Sequence, residues 1–359
     1  MANNNNLTAQ QRAMLFGAAT RQHFQMLGMQ EVSGGAQTVQ FRVPKARILQ
    51  GVKLWVEAKL NVKHASGTAY ALKSPVDPYK LFRLITIDFN NGFRPVAVAG
   101  DELAMNNMLY TMPEMVGYSA DGKTNCKCPA SLVASSAGTD NEISFMLDIP
   151  LALNYRDPVG LIMAQNAETS IDITLDIANA NAILGAAAGY TCNFTSVKIT
   201  PMIASFSIPS DTRAFPDFSV LKILDSRNES FTAGQNYVKL PTGMIYRKMI
   251  LKFEAADGTA FTDEDITSNI DIVMNTADTP YSVSPKMLRA IDKMQSGIEF
   301  PDGCYYFSFD YQGVNGYGGS RDYIDAERIT ELAIRFNAGK AGKLTVISEK
   351  LSRLVQTNG

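Results

Sequence analysis

Histidine and cysteine, the side chains most often used for nucleophilic catalysis and for binding transition metals, are scarce in this chain. Its 359 residues include two histidines, His23 and His64, and four cysteines. A catalytic triad or a histidine-rich zinc site needs more imidazoles than these. Cys126 and Cys128 are separated by one residue and lack a second Cys or His pair, which is a poor zinc signature. We therefore predict no catalytic, cofactor or metal site.

Two further segments contain residue types that bind ions or phosphates. Asp263, Glu264 and Asp265 form a carboxylate cluster that could attract calcium, but the alternating ligands and central glycine of a calcium loop are missing. A solvated turn is the favoured interpretation, and ion binding stays open. The glycine-rich residues 316–319 could approach a phosphate, yet no Lys-Ser or Lys-Thr pair follows. They are interpreted as a loop between strands.

An aromatic run in the second half of the chain offers an alternative function. Its members are Tyr305, Tyr306, Phe307, Phe309 and Tyr311. Such side chains could form a platform for sugars, as in a host-recognition spike, but a strand buried in a sandwich uses the same residue types, and this second interpretation is favoured. A sugar-cleaving site would need paired acids in a cleft, and no clear pair is present. A carbohydrate-binding β-sandwich protein remains the alternative.

Length and charge narrow the classes of function further. A single hydrophobic core usually stops growing at roughly 250–300 residues, so a chain of 359 predicts two domains. With 33 basic and 35 acidic residues, the net charge of −2 supplies no basic field for neutralising phosphates, and direct contact with nucleic acid is not expected. The sequence shows neither a signal peptide pattern nor about 18 consecutive apolar residues, so we expect a soluble, non-secreted protein.

Alternation of apolar and polar residues dominates the chain and predicts β-strands. The clearest example covers residues 52–62, with valine, leucine and alanine on one face and Trp55 among lysines on the other. A strand, loop, strand unit at residues 143–149 and 171–177 recurs at residues 304–311 and 329–336. This repeat predicts two similar β-sandwiches in tandem.

Helix signals are few and short. Asp101 is predicted to cap a helix that continues through Leu109, and Ser284 with Pro285 is predicted to open a helix that ends near Gly297. Few helices among many alternating strands favour an all-β fold over a parallel α/β sheet. We place the boundary between the sandwiches so that the first covers residues 31–209 and the second residues 210–359.

The first 30 residues are predicted to form a helical arm. Thr8 and Gln11 have the spacing of a capping box, and helix-forming residues continue to about Gln30. No acidic residue occurs before Glu31, and Arg12 and Arg21 are the only charged side chains of the arm.

The chain resembles the major capsid proteins of tectiviruses, which are tailless bacteriophages with a membrane beneath the protein shell. The stretches that carry the resemblance are Leu-Thr-Ala-Gln-Gln at residues 7–11, Ile-Pro-Leu-Ala-Leu at 149–153 continuing to Ile-Asp-Ile-Thr-Leu at 171–175, and Phe-Pro-Asp-Gly-Cys-Tyr-Tyr at 300–306. They occur in the order that is typical of the family and extend over nearly the full chain.

The resemblance implies two tandem eight-stranded jelly rolls, called a double jelly roll, with a few short helices. It implies a non-enzymatic subunit whose homotrimers form pseudo-hexagonal tiles in an icosahedral shell over an internal membrane. The expected location is the virion, assembled in the host cytoplasm. The expected partners are other copies of the chain, neighbouring trimers, vertex and minor capsid proteins, and the internal viral membrane through the arm.

The resemblance also implies a role for the arm, because an N-terminal helix faces the internal membrane in family members. The lack of acidic residues before Glu31 suits contact with anionic lipid head groups. Packing on a neighbouring subunit is the other interpretation. The side chains expected to face a membrane or a neighbour are Arg12, Leu15, Phe16, Arg21, Phe24 and Leu27.

Overall fold

A computed structural model describes residues 9–90, 92–109, 127–153, 158–165, 170–185, 189–216, 218–297, 299–309 and 324–353. These residues form two jelly rolls, each with eight strand positions divided between two four-stranded sheets. Strands account for most of the regular structure and only four α-helices are present in the described ranges. The predicted all-β class is therefore confirmed.

The first roll contains two main sheets and a short two-stranded sheet of β5 with β8. Sheet 1 has the order β1 and β2, β12, β4, β9, with β10 also on β4, and sheet 2 has the order β3, β11, β6, β7. Its strands are β1 (Gln22–Met26), β2 (Gln30–Gly34), β3 (Gln37–Arg42), β4 (Ile48–His64), β5 (Tyr70–Ala71), β6 (Phe82–Phe89), β7 (Phe93–Val98), β8 (Ser131–Leu132), β9 (Thr139–Pro150), β10 (Ile162–Met163), β11 (Ile171–Ile177) and β12 (Tyr190–Phe206). Its helices are α1 (Ala9–Ala19), α2 (Gly100–Met108) and α3 (Asn181–Leu184).

The second roll contains sheets 3 and 4. Sheet 3 has the order β13, β21, β15, β18, with β19 also on β15, and sheet 4 has the order β14, β20, β16, β17. Its strands are β13 (Val220–Phe231), β14 (Gly234–Leu240), β15 (Ile245–Ala255), β16 (Ile270–Met274), β17 (Asp278–Val283), β18 (Cys304–Ser308), β19 (Ile324–Asp325), β20 (Leu332–Ala338) and β21 (Gly342–Arg353). Helix α4 is Pro285–Ser296.

The two rolls repeat one another strand by strand. When the eight strand positions of each roll are numbered along the chain, one sheet has the order 1-8-3-6 and the other 2-7-4-5 in both rolls. The repeated unit found in the sequence corresponds to β9 with β11 in the first roll and to β18 with β20 in the second. These are positions six and seven of each roll, so the predicted tandem repeat is confirmed.

Both sandwiches are filled by the inward-facing side chains of their strands. In β4, Val52, Leu54 and Val56 are fully buried inside the first roll, whereas Trp55 on the opposite face is half-buried. The second roll uses larger side chains, and the rings of Phe253 and Phe336 meet edge to face with centroids 5.0 Å apart. Burial of such apolar surface is the main favourable term in folding.

A helix lies between strand positions five and six of each roll, as α2 in the first and α4 in the second. Strands β7 and β17, which precede them, each have proline as the third residue, and each helix begins two residues after its strand ends. Aligning Pro95 with Pro280 brings the buried Leu103 onto the buried Leu288. The two strand-helix units are therefore equivalent.

Both helices bind the backbone of the sixth strand of their own roll. In α2, the Asn107 side chain donates to the carbonyl of Asp148 at 2.7 Å and accepts from its amide at 2.8 Å. In α4, Asp292 occupies the equivalent position and accepts from the amide of Tyr306 at 3.0 Å. Burial raises the pKa of Asp292 to about 7.

The start of α2 differs from the prediction, whereas α4 agrees with it. The residue that precedes α2 is Ala99, and its amide donates to the Glu102 carboxylate at 2.8 Å. Asp101 therefore does not cap the helix, because it points to the second roll instead. Helix α4 begins at Pro285 and ends at Gly297, which has the left-handed conformation (φ 70°) that glycine adopts without strain.

The prediction that the helical arm continues to Gln30 is wrong. Helix α1 ends at Ala19, and β1 and β2 pair in antiparallel fashion with β12, where they fill the first strand position of sheet 1. Local helix propensity is a weak preference, and the hydrogen bonds available along β12 override it. The residues before Ala9 lie outside the described part of the chain, and so does Thr8 of the predicted capping box.

Asp292→Asn is expected to make the second roll more stable at alkaline pH. The carboxyl pKa is raised in the folded state, so its contribution to stability is present at acid pH and is lost as the pH rises through about 7. An asparagine stays neutral and makes the equivalent bonds in the first roll. We predict that the wild type loses on the order of 2 kcal/mol of unfolding free energy between pH 5 and pH 8 and that the variant does not.

Urea unfolding at a series of pH values measures this difference. Asp257→Asn is the matched control, because Asp257 is an exposed aspartate of the same roll. An equal pH dependence of the wild type and Asp292→Asn would show that Asp292 is ionised in the folded protein.

Candidate functional site

The two histidines lie far apart, at opposite ends of sheet 1. His23 on β1 pairs with Ser205, whereas His64 at the end of β4 stacks on Tyr190 with ring centroids 4.1 Å apart. Across the ranges that the structure describes, no three His, Cys, Asp or Glu side chains cluster in a way that could hold a metal ion.

The cysteines in the described ranges are buried thiols. Cys128, Cys192 and Cys304 are reduced thiols, and each is at most 2% exposed to solvent. Burial raises the pKa of Cys192 and that of Cys304 to about 12, so both stay protonated and unreactive at neutral pH. Cys126 of the predicted close pair lies outside the described residues.

The carboxylates of the acidic turn bond to the second roll itself. Asp263 accepts from the Tyr305 hydroxyl at 2.9 Å, and Asp265 lies 3.0 Å from the ammonium of Lys340. These contacts use oxygen atoms that a calcium ion would need. The glycine-rich residues 316–319 lie outside the described part of the chain.

The aromatic run is buried and does not form an exposed platform for sugars. Tyr305, Phe307 and Phe309 point into the core of the second roll. Tyr306, on the other face of β18, packs against the first roll. Tyr311 lies outside the described residues. The interpretation as a buried strand is confirmed for Tyr305, Tyr306 and Phe307, and Phe309, which follows the end of β18, is buried as well.

The surface with the most distinctive chemistry is the contact between the two rolls, here called the joint. At its centre β7 pairs in parallel with β13, with Leu224 opposite Val96 and Asp225 opposite Ala97. Sheets 2 and 3 therefore form one continuous sheet that runs from the first roll into the second.

Helix α2 forms the second part of the joint. All nine of its residues are buried, because one side faces the first roll and sheet 3 of the second roll covers the other. The Met105 and Cys304 sulfur atoms lie 3.6 Å apart. The Asp101 carboxylate lies 2.8 Å from the ammonium of Lys252, which also lies 2.8 Å from the Glu254 carboxylate.

The Asp101–Lys252 pair is charged in spite of its burial. Burial alone would lower the pKa of Lys252, but Asp101 and Glu254 outweigh it and raise that pKa above its usual value. Burial would likewise raise the pKa of Asp101, and the ammonium of Lys252 outweighs it and lowers that pKa. The two buried charges can neutralise each other only when the two rolls lie in this position relative to one another.

A second buried pair lies at the end of the joint. The ammonium of Lys222 lies 3.0 Å from the Glu349 carboxylate, and each side chain is 1% exposed. The same ammonium donates to the carbonyl of Ala152 in the first roll at 3.5 Å.

Apolar side chains fill the space between these polar contacts. Residues of the second roll that belong to the hydrophobic core of the first are Leu224, Ile250, Phe300, Cys304, Tyr306 and Ile347. A shared core of this kind holds the two rolls together as one block, since separating them would expose these side chains to water.

The predicted arm residues on α1 lie on different sides of the helix. Phe16 is only 4% exposed, and its ring meets that of Phe206 with centroids 5.1 Å apart. Its prediction as a side chain that faces outwards is wrong, because a small cluster at the end of sheet 1 encloses it. Leu15 is exposed and Arg12 half-buried.

The predicted residues after α1 belong to the body of the first roll. Phe24 on β1 is 57% exposed and points outwards, whereas Leu27 is half-buried and packs against the core. Arg21 is exposed, and its backbone amide donates to the Ser207 hydroxyl at 2.8 Å. Among the described residues, no helix is long and apolar enough to span a membrane.

Sequence reasoning missed an apolar surface on the outer side of sheet 1. Trp55, Met146 and Met202 are half-buried there, and Phe24 is exposed beside them. One cross-strand row of this face joins Phe24, Ala204, Gly51 and Pro150, and the two small residues leave a groove of about 240 Å³. The signal in the sequence was the single tryptophan on a face otherwise rich in lysine. This surface is called the outer face below.

The fold is similar to that of several viral capsid proteins. The crystal structure of the STIV MCP matches with a TM-score of 0.67 and 13% identity, covering 93% of this chain and 97% of that one. The capsid of the virus PBCV-1 matches at 0.61 with 12% identity, covering 92% and 94%. The major capsid protein P2 of bacteriophage PM2 matches at 0.57 with 10% identity, covering 94% and 99%.

The chain has the double jelly-roll fold of viral major capsid proteins. The coverage on both sides shows that the similarity extends over both rolls and the joint. The fold expected from the tectivirus resemblance is confirmed. No protein-family model matches the sequence, and no curated protein is similar to it in sequence.

Lys252→Ala is expected to destabilise the protein strongly. It leaves the Asp101 carboxylate buried in the joint without its partner, and breaking a buried pair in this way costs about 3–5 kcal/mol. The matched control is Lys239→Ala. Lys239 pairs with Glu331, but its side chain is 72% exposed. Such a surface pair contributes little. Urea unfolding of both variants tests this, and equal losses would contradict a charged joint.

Phe16→Ala is expected to release α1 from the body of the protein. The change removes a ring from the cluster with Phe206 and costs about 3 kcal/mol of local stability. Trypsin cleavage at Arg12 and Arg21 should then become much faster. Leu15→Ala, which removes an exposed side chain of the same helix, serves as the control and should cleave at the wild-type rate. Unchanged cleavage of Phe16→Ala would mean that Phe16 does not anchor the arm.

Proposed function

We propose that this chain is a major capsid protein, a structural subunit without catalysis that assembles into the shell of a virus particle. The observation that carries the proposal is the agreement of fold over 93% of this chain and 97% of the STIV MCP structure. The joint supports it, because a subunit of a shell has to hold a fixed shape while its neighbours vary. The buried aromatic run removes the main argument for a carbohydrate-binding protein.

The assembly that we propose is a homotrimer. Three copies with two rolls each supply six similar blocks, which form a pseudo-hexagonal tile for an icosahedral shell. Cyclic trimers use heterologous contacts that close on themselves. An obligate interface of this kind is expected to bury roughly 2,000–5,000 Å². The further partners in the proposal are neighbouring trimers, vertex proteins and minor capsid proteins.

We also propose that the arm meets either a neighbouring subunit or an internal membrane. Its charged side chains, Arg12 and Arg21, suit anionic head groups, although each adds only about 1 kcal/mol at such a surface. Met14 and Leu15 are exposed and add apolar contact area. The location follows from the function: the virion, after assembly in the host cytoplasm, without direct contact with nucleic acid.

The division of the chain into domains is part of the same proposal. A boundary between residues 209 and 210 falls between β12 and β13. The boundary at residue 30 would cut β2, so the first roll is better begun at β1 and the arm limited to the residues that precede it.

Native mass spectrometry of the purified chain is expected to show a stable trimer, and glycan arrays should show no binding. A truncation that ends before β1 should leave the trimer folded and impair shell assembly. A truncation through Gln30, in contrast, removes a strand from sheet 1 and should unfold the first roll. A monomer that persists at high concentration and binds sugars would contradict the proposed function.

A further inference from the structure

We infer that the joint is repeated between copies of this chain. The outer face of sheet 1 in one copy receives β17 and α4 from the second roll of another copy. This inference rests on the proposed homotrimer and names the surfaces that form it.

The docking unit of the second roll is equivalent to the one already used inside the chain. The segment β17 with α4 matches β7 with α2 in the place of its proline, in the start of its helix and in its bond to the sixth strand. Helix α2 is completely buried, and the other roll covers the side that does not face its own roll. On α4, Met287 is 61% exposed and Met294 88% exposed. The strand-helix unit therefore occurs twice in the chain, but another roll covers only the first of the two.

The receiving surface can be aligned through the sixth strands. Asn107 binds the backbone of Asp148 and Asp292 binds that of Tyr306, which makes Asp148 and Tyr306 equivalent. The strand registers then extend the alignment across sheets 1 and 3. The resulting pairs of equivalent positions, first roll before second, are Lys53 with Ile250, Trp55 with Lys252, Met146 with Cys304, Met202 with Ile347 and Phe24 with Leu224.

The outer face is apolar at three of the five aligned positions that the joint fills with apolar residues. At the other two, equivalent to Ile250 and Tyr306, Lys53 and Asp148 pair with each other at 3.0 Å. Cys304, Ile347 and Leu224 are buried against the first roll, and their equivalents are Met146, Met202 and Phe24. These three side chains are half-buried or exposed in the isolated chain. Apolar side chains grouped on an accessible surface are typical of interaction sites.

The polar contacts change between the two surfaces in a compensating way. Asp101 faces Lys252 in the joint. At the equivalent positions Lys286 of α4 would face Trp55, and an ammonium over an indole ring is a favourable pairing. Glu57, equivalent to Glu254, lies on the same face of β4 two residues further on and supplies the negative charge.

Strand edges provide the backbone part of the contact. Strand β1 lies at an edge of sheet 1 and β17 at an edge of sheet 4. Repeating the register of β7 with β13 places Phe24 opposite Tyr281 and Gln25 opposite Ser282, in parallel. Edge strands are ready templates for pairing with another chain. Sheet 1 of one copy then continues into sheet 4 of the next, as sheet 2 continues into sheet 3 within a copy.

The occupant of the outer face is a second copy, because this chain contains both halves of the contact. Each copy supplies one receiving face in its first roll and one docking unit in its second. First and second rolls then alternate around a ring that closes with whole copies.

Engineered cysteines test this interface directly. Met146→Cys and Ala290→Cys replace the equivalents of Cys304 and Met105, whose sulfur atoms touch in the joint. In the double variant, mild oxidation should join copies covalently. A non-reducing gel is expected to show species of two and three chains and none larger. The control is Val133→Cys with Ala290→Cys, since Val133 is exposed elsewhere in the first roll, and it should remain a single chain.

The outcomes separate this inference from the proposed function. A double variant that keeps a native mass of three chains without any covalent product would overturn the interface and leave the trimer standing. A wild type of single-chain mass at all concentrations would overturn the trimer itself. Covalent species larger than three chains would contradict a closed ring.

Tryptophan fluorescence gives a second readout, because Trp55 is the only tryptophan of the chain. Assembly should bury it, so the wild type is expected to emit at shorter wavelength and to resist acrylamide quenching better than Met287→Asp. Val133→Asp, a change at a similarly exposed apolar residue, should behave like the wild type. Equal quenching of the wild type and Met287→Asp would contradict the docking of α4 on the outer face.

Discussion

The burial of α2 between the two rolls is the constraint on which the rest of the structure depends. A helix that is covered on every side allows only one position of the second roll relative to the first. The parallel pairing of β7 with β13 sets the direction of the contact, and the Asp101–Lys252 pair sets its register. A chain built in this way resists bending between its halves, which suits the proposed role in a shell.

The buried charges give the joint specificity more than stability. Taking Asp101 and Lys252 out of water costs much of what their attraction returns, so their main effect is to penalise any other arrangement of the rolls. The apolar residues beside them supply the favourable free energy. The chain repeats the strand-helix unit of the joint in its second roll. In the contact proposed between copies, apolar residues therefore supply the favourable free energy and charged residues the specificity.

The sequence predicted the fold well where the signal was local. Alternation identified β4 and the two repeated units, and proline with glycine marked α4 correctly. The arm was predicted wrongly beyond Ala19, since β1 and β2 exist only because β12 pairs with them from 160 or more residues away. The outer face was missed because lysines accompany Trp55, and a strand face with several lysines is usually exposed to solvent. The prediction that Asp101 caps α2 was wrong. Asp101 pairs with Lys252 of the other roll, and a partner so distant along the chain leaves no local signal in the sequence.

Electron cryomicroscopy of the purified oligomer is the most direct test of the central claim, that one kind of contact joins rolls both within a copy and between copies. The account predicts six roll-sized densities evenly arranged around one axis, with α4 of each copy seated on the outer face of the next. Three separated pairs of rolls, with Trp55 open to solvent in each, would contradict it.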